Sequence, residues 1–120
     1  MYVKLRAHHV ARLIEFQDDL GDLVRAMAIA QYDKDTVDYV KKLFFDLYES
    51  PESVVEILSD GEAKNDDVCR KCVFSFNKDC FLDYGASEQG MRLDDDARKK
   101  YSLTKRIYSV EELLWKRVSK

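Results

Sequence analysis

Apolar residues recur at three- and four-residue steps through the first half of the chain, which is the spacing of one face of an α-helix. The first of these stripes predicts a helix over residues 5–20, which Gly21 would end. A short second helix is predicted over residues 23–30, and a third that begins at Asp33 or Asp35 and extends to about residue 48. The first half of the chain is therefore expected to be helical.

The pattern changes in the middle of the chain, where Ser50-Pro51 breaks the third helix. Residues 54–58 follow as a short run rich in β-branched side chains, which predicts a strand. The turn signal Asp60-Gly61 would end this strand. Residues 62–67 are polar and are expected to form a loop.

Two further helices are predicted after an irregular region over residues 68–90. The first opens at the acidic run 94–96 and extends to about residue 101. The second follows Ser109, because Ser109 and Glu112 have the spacing of a capping box, in which each side chain accepts from the other residue's backbone N–H. The fold class predicted is α+β, mainly α: a small domain of about five helices with one or two short strands and an irregular cysteine-rich metal loop.

Composition indicates one globular domain over residues 1–120, since 46% of the residues are apolar and 36% are charged. No apolar run approaches the roughly 20 residues that cross a bilayer. The N-terminal residues also lack the apolar core of a signal peptide. We therefore expect a cytoplasmic protein with no membrane partner, in a compartment that keeps thiols reduced.

The net charge of −3 is unevenly distributed, with −7 over residues 1–91 and +4 over residues 92–120. The basic segment would suit a phosphate or nucleic-acid partner. Tyr101, Tyr108 and Trp115 lie within it, and their rings could stack on bases. The same features also describe a solvated helix face with ordinary core aromatics, and the acidic remainder would repel a phosphate backbone. Nucleic acid is thus a weakly supported partner, and no other partner is indicated.

All three cysteines, Cys69, Cys72 and Cys80, fall within a segment of twelve residues. Two thiols separated by two residues can point at one centre, as in a zinc knuckle, an iron–sulfur ligand run or a redox dithiol. A disulfide would leave one cysteine over, and the polar flanking residues argue against burial of the three thiols as small hydrophobic side chains. The segment therefore predicts a metal site in preference to a redox dithiol or inert thiols.

A tetrahedral site needs a fourth ligand beside three cysteines, and the chain has two histidines, His8 and His9. Adjacent helical residues differ by about 100° around the helix axis, which places His9 in the centre of the apolar stripe and His8 at its edge, beside Arg12. We therefore expect His9 to be the more buried of the two. Metal ligation with a hydrogen bond to the second ring nitrogen would satisfy either imidazole, and so would packing against the polar cysteine loop. Both are candidate ligands, and a shared metal would require the loop after Gly61 to dock near His9.

Three short motifs resemble a family of small archaeal and bacterial proteins. The motifs are KLRAHH at residues 4–9, DDVCRKC at residues 66–72 with a cysteine beyond, and IYSVEELL at residues 107–114. Together, nearly end to end, they resemble the domain of unknown function 1284 family, whose members are described as candidate iron–sulfur proteins. The resemblance implies a metal or cluster site and no established activity. By position, the family's signature polar residues correspond to His8, His9, Cys69, Cys72 and Cys80.

The chain departs from the family pattern at two positions. Arg12 stands where the family has a cysteine, three residues after the histidine pair, and Val73 stands where a proline tends to follow the second cysteine. A cysteine at position 12 would lie on the same side of the helix as both histidines and could be a fourth thiolate, whereas arginine cannot ligate. The chain must then use a histidine, leave an open position or lack the cluster.

The candidate cofactor is an iron–sulfur cluster or a zinc ion. Three thiolates and one imidazole suit a closed structural zinc site, and they also suit a cluster with one non-cysteine ligand. The resemblance favours iron–sulfur, while the ligand count favours zinc. An adaptor with a structural metal and a basic C-terminal segment is a second hypothesis.

A third hypothesis is a thiol enzyme, with Cys69 or Cys72 as nucleophile and His8 or His9 as base. The sequence lacks a glycine-rich phosphate loop, a nucleotide fingerprint and a recognisable motif around either cysteine. We therefore do not expect an enzyme.

Overall fold

The computed structural model of the chain describes residues 1–30, 32–59, 62, 65–68, 75–76, 79–80 and 88–118. Within these residues the fold is a small α+β arrangement that is mainly helical, which confirms the predicted fold class. Most of the predicted cysteine-rich loop lies outside the described residues. The helices are α1 (Ala7–Glu15), α2 (Leu20–Ile29), α3 (Lys34–Glu49), α4 (Glu88–Lys100) and α5 (Val110–Val118). The strands are β1 (Tyr2–Arg6), β2 (Val54–Leu58), β3 (Ser75–Phe76), β4 (Asp79–Cys80) and β5 (Ile107–Ser109).

The larger sheet has three strands in the order β1-β2-β5, and β3 pairs with β4 as a separate ribbon. Strands β1 and β2 are parallel, with Tyr2 opposite Val54 and Arg6 opposite Leu58. A parallel pair needs a crossover connection, which here contains α1, α2 and α3. Strand β5 returns antiparallel to β2. Strand β2 has the boundaries that its sequence predicts.

The first predicted helix is wrong at both ends, because Tyr2–Arg6 form a strand and α1 covers Ala7–Glu15 in place of residues 5–20. Burial along β1 follows the two-residue period of a strand: Val3 and Leu5 are 4% and 0% exposed, while their neighbours Tyr2 and Lys4 on the other face contact solvent. Leu5 therefore packs from the inner face of the sheet, although its spacing also fits the helical stripe. Hydrogen bonding to β2, far away in sequence, selects the strand.

The next two helices begin at aspartate caps. Asp19 accepts a hydrogen bond from the backbone N–H of Asp22 and starts α2, so Gly21 lies inside this helix and does not end the preceding one. Of the two aspartates that could begin the third helix, Asp33 is the cap: it accepts from the backbone N–H of Thr36 and starts α3, while Asp35 lies in the first turn. Each cap satisfies one of the amides that lack a partner within the first helical turn.

The two C-terminal helices differ in how well the sequence predicts them. Helix α4 begins at Glu88, so Asp94 lies in its middle and is buried, while Asp95 is exposed. The acidic run therefore does not open the helix. Before α5, Ser109 Oγ accepts from the N–H of Glu112 at 3.2 Å and the Glu112 carboxylate accepts from the N–H of Ser109 at 3.0 Å. The predicted capping box is confirmed.

The hydrophobic core lies where α1 meets the sheet. Helix α1 packs against α4, α5, β1 and β2, and α2 packs against α3. Among the residues that the structure describes, no helix has both the length and the apolar character that a membrane span needs. The apolar residues with no exposed surface are Leu5, Ala7, Val10, Leu13, Ile14, Leu47, Val55, Val110 and Leu113.

Candidate metal centre

The two histidines lie in the first turn of α1, directly after the end of β1. Arg6 is still extended and gives α1 no side-chain cap, so the first amides of the helix need partners from elsewhere. The carboxylate of Asp94, on α4, supplies one by accepting from the backbone N–H of His8 at 3.1 Å. A carboxylate at this position also interacts favourably with the positive end of the helix dipole. The strand-to-helix junction is thus held by an acidic residue of a distant helix.

Asp94 also binds two side chains of the junction. Its Oδ1 lies 2.6 Å from Nδ1 of His8, and its Oδ2 accepts from Arg6 Nε at 3.0 Å and Nη2 at 2.7 Å. The side chains of Arg6 and Asp94 are 0% and 1% exposed. Buried charges of this kind are stable only when they are paired and hydrogen-bonded, and this pair meets both conditions.

Burial decides the charge state of the His8 ring. Desolvation, together with the neighbouring His9 ring, lowers the pKa of His8 to about 4 despite the attraction of Asp94. Burial by itself would raise the pKa of Asp94, but the hydrogen bonds from His8 and the charge of Arg6 hold it at about 2. Near neutral pH the cluster therefore contains an ionised Asp94 and a neutral imidazole. A neutral imidazole is the form that binds metals.

His9 has a carboxylate partner of its own, Asp66. Oδ2 of Asp66 lies 2.8 Å from His9 Nδ1 and accepts from the backbone N–H of Arg6 at 2.5 Å. Oδ1 of the same carboxylate accepts from the backbone N–H of Val68 at 2.7 Å. Asp66 is fully buried, so these hydrogen bonds form in a protected environment.

Both imidazoles therefore use Nδ1 to bind a buried carboxylate. A ring that donates from Nδ1 keeps the lone pair of Nε2 for another partner, and among the described residues no partner of either Nε2 is seen. The ring centroids of His8 and His9 are 4.3 Å apart, in an edge-to-face arrangement. The side chains are 11% and 18% exposed, so His8 is the more buried of the two and the expectation that His9 is more buried is wrong.

The segment that precedes the cysteines is fastened to the outer edge of β1. Lys4 N donates to the Asp67 carboxylate at 2.8 Å, and the N–H of Asp67 donates to the Lys4 carbonyl, also at 2.8 Å. With the bonds of Asp66 to Arg6 and His9, this holds residues 66–68 beside the start of α1. The docking of the loop near His9 that a shared metal requires is thus present up to Val68.

The predicted cysteine ligands lie mostly beyond this point. Cys69 and Cys72 are outside the described residues, and the structure describes the backbone of Cys80, which pairs with Ser75 in the β3–β4 ribbon. Within the described part of the chain, no group of three or more His, Cys, Asp or Glu side chains that could hold a metal is found. The described residues therefore bring together the histidines and their carboxylates, and the ligation by the cysteines stays a prediction.

Arg12 lies one helical turn beyond the histidines, as the sequence predicts. Its side chain is 51% exposed, and Nη1 binds the Glu15 carboxylate at 2.9 Å. A surface ion pair of this kind contributes little to stability. The position that carries a cysteine in the resembling family is thus an accessible site on α1.

Several of the basic C-terminal residues bind carboxylates. Arg106 Nη2 binds Glu56 at 2.6 Å and Glu62 at 2.7 Å, and Lys105 binds Glu112 at 2.8 Å. Tyr101 and Tyr108 are 5% and 4% exposed and belong to the core, whereas Trp115 is 62% exposed. The two tyrosine rings therefore have the core role that the sequence left open, which weakens the case for base stacking. The paired cations weaken the case for phosphate binding.

Sequence reasoning did not identify three residues of this site: Arg6, Asp66 and Asp94. Arg6 was included in an amphipathic helix, Asp66 in a polar loop, and Asp94 in a helix N-terminus. One signal was present for Asp66, because it stands only three residues before Cys69. No local pattern distinguishes Asp94 from Asp95, since both sit in one acidic run.

Comparison of the chain with protein-family models, with curated proteins and with solved structures found no match. The resemblance to the domain of unknown function 1284 family therefore remains a sequence-based expectation. The function of the site must be inferred from the carboxylate–histidine geometry and from the chemistry of the cysteines.

Proposed function

We propose that this chain is a small metal-binding protein whose ligands are Cys69, Cys72 and Cys80 together with His9, His8 or both. The bound species is a zinc ion or an iron–sulfur cluster, and its role is to tie the cysteine segment to the start of α1. The basis is the spacing of the thiols along the chain and the position of the histidines beside the segment that leads to them.

The observation that carries the proposal is the pair of buried carboxylates on the Nδ1 atoms of the histidines. Asp94 holds His8 at 2.6 Å and Asp66 holds His9 at 2.8 Å, which leaves Nε2 of each ring as the donor for a metal. Metal-binding histidines nearly always donate their other ring N–H to a carboxylate, a carbonyl or water, because this fixes the tautomer and the ring orientation. The arrangement therefore has the supporting partners that a histidine ligand requires.

The donor set bears on the identity of the metal. Three thiolates and one imidazole form a closed tetrahedral set that suits structural zinc, where binding contributes directly to folding. A cluster held by cysteines with one histidine is a less common arrangement. The geometry at the histidines serves either species, so the colour and metal content of the purified protein distinguish them.

A substitution in the cysteine pair tests the proposal. Cys72→Ser removes one thiolate with little change in size. The variant should lose the metal, and its free energy of unfolding should fall by several kcal/mol, because structural zinc binding is worth ~10 kcal/mol or more. Lys71→Ser is the matched control, since it places the same side chain one residue away without removing a ligand. Metal content per chain after anaerobic purification, followed by urea unfolding, measures both effects.

The two variants separate metal binding from a general loss of structure. We expect metal-free protein for Cys72→Ser and unchanged metal content for Lys71→Ser. Equal metal content in both variants, or a wild-type protein whose three thiols all react freely with a thiol reagent, would contradict the proposal.

A further inference from the structure

The carboxylate of Asp66 connects His9 to the segment that leads to the cysteines. Oδ2 holds Nδ1 of His9 at 2.8 Å and the backbone N–H of Arg6 at 2.5 Å, while Oδ1 holds the backbone N–H of Val68 at 2.7 Å. Cys69 is the next residue after Val68. One buried side chain thus orients an imidazole and also fixes the chain immediately before the first thiol.

His8 has a different connection. Its Nδ1 and its backbone N–H both bind Asp94, which belongs to α4 and also pairs with the buried guanidinium of Arg6. This carboxylate fastens β1 and α1 to α4, and it makes no described bond to the segment that leads to the cysteines. The His8 side chain is also the more buried of the two, at 11% exposed against 18% for His9.

We propose that His9 is the imidazole ligand of the metal centre, that Asp66 positions it, and that His8 serves the packing of α1 against α4. This assignment rests on the proposed function, because it presupposes a metal held by the cysteines. Asp66 acts through His9 and through the segment before Cys69, and it does not itself contact the metal.

The substitution Asp66→Asn tests this role, because an amide cannot replace both carboxylate oxygens. If the amide oxygen faces Val68 N–H, the NH2 group faces Arg6 N–H and His9 Nδ1, which forces the proton of the ring onto Nε2 and blocks the ligand atom. If the oxygen faces Arg6 and His9, the NH2 group opposes Val68 N–H and disturbs the chain before Cys69. Either orientation weakens metal binding.

The experiment titrates Co²⁺ into the reduced, metal-free full-length protein in competition with a chelator. Asp66→Asn should bind Co²⁺ about 10- to 100-fold more weakly than wild type, which is the usual loss when a residue that positions a ligand is changed. His9→Gln removes the ligand itself and should bind at least as weakly as Asp66→Asn. His8→Gln, at the histidine that this assignment places outside the site, should retain the wild-type affinity. Asp95→Asn is the matched control and should also retain it, because it makes the same chemical change at a side chain that is 61% exposed and pairs with Arg98 at the surface.

A second measurement reports on Asp66 even without a metal. Long-range ¹H–¹⁵N spectra of the metal-free protein should show the His9 proton on Nδ1 in wild type and in Asp95→Asn. Detection of the proton on Nε2 of His9 in wild type would overturn the positioning role.

The outcomes separate this assignment from the proposed function. Loss of affinity in His8→Gln with none in His9→Gln would overturn the ligand assignment while leaving the metal site intact. A wild-type protein that takes up neither Co²⁺ nor a cluster reconstituted from iron and sulfide would overturn the metal site and the assignment together, and the tautomer of His9 would then decide the role of Asp66 alone.

Discussion

Replacing Asp94 with alanine should destabilise the fold more than any surface substitution on the same helix. The carboxylate accepts hydrogen bonds from Arg6 Nε and Nη2 at 3.0 and 2.7 Å, and it also binds the backbone and ring of His8. The Arg6 side chain is 0% exposed, so Asp94→Ala removes the counterion of a buried guanidinium. Breaking a buried pair in this way costs about 3–5 kcal/mol, a large fraction of the roughly 5–15 kcal/mol that stabilises a typical domain.

Urea unfolding followed by far-UV circular dichroism measures this cost, and Asp95→Ala is the control. Asp95 is the next residue of α4 and undergoes the same chemical change, but its side chain is 61% exposed and pairs with Arg98 only at the surface. Its loss should cost at most about 1 kcal/mol. A thermal midpoint lowered by roughly 10 °C or more for Asp94→Ala would accompany the larger value.

A double substitution identifies the cause of the loss. If the cost of Asp94→Ala comes from a buried guanidinium that has lost its carboxylate partner, adding Arg6→Met should recover part of the stability, because the charge that this carboxylate stabilised is then gone. A change below about 1 kcal/mol for Asp94→Ala would refute the reasoning, since it falls in the surface range. The reasoning would also be refuted if the double variant lost as much free energy of unfolding as the two single variants together.

Three further predictions concern other parts of the molecule. The pKa of His8 is about 4 in the folded protein and 6.5 in an unperturbed ring, so the unfolded chain binds more protons between these pH values. Lowering the pH from 6.5 to 4 should therefore reduce the free energy of unfolding of the metal-free protein by up to roughly 3 kcal/mol. Urea unfolding across this range should show a shallower pH dependence in His8→Gln. Arg12→Cys should strengthen metal retention against a chelator by supplying a fourth thiolate. The substitution should cost little stability, because the Arg12 side chain is 51% exposed. Unchanged metal retention would show that position 12 does not face the site. Leu47→Ala should lower the free energy of unfolding by about 2–5 kcal/mol, because Leu47 is fully buried. Ile29→Ala, at a residue 83% exposed, should change it by no more than about 0.5 kcal/mol. Urea unfolding that gives the two variants a similar loss of stability would contradict the placement of the core.

The sequence predicted an element correctly where its local pattern is compatible with only one kind of structure. The start of α3 follows from an aspartate before a long apolar stripe, and Asp33 does cap it. The capping box of Ser109 and Glu112 is read directly from a four-residue spacing. Strand β2 is short and rich in β-branched residues, and its bounds agree with the structure.

Nonlocal contacts decided the elements that the sequence predicted wrongly. Residues 2–6 alternate as a strand does, but Leu5 also continues a helical stripe, and only pairing with β2 resolves the ambiguity. Three consecutive aspartates are typical of a first helical turn, yet Asp94 lies within α4 because Arg6 and His8 meet it there. A single sequence does not contain these pairings.

In the candidate site, too, some residues could be predicted from local sequence and others depend on contacts between distant segments. Its candidate ligands follow from side-chain chemistry, because imidazoles and closely spaced thiols are the side chains that bind zinc and iron most readily. The partners Asp66 and Asp94 could not, since a carboxylate that positions a histidine looks like any other acidic residue until the fold brings the two together.

The most direct test of the metal-binding proposal is the metal content and visible spectrum of the wild-type protein, purified and kept without oxygen. We predict bound metal in proportion to the chain, with either the brown colour of a thiolate-bound iron cluster or a colourless protein that carries zinc. Removal of the metal with a chelator should also lower the free energy of unfolding, because in this proposal the metal ties the cysteine segment to α1. A metal-free protein with three reactive thiols, whose stability a chelator does not change, would contradict the proposal.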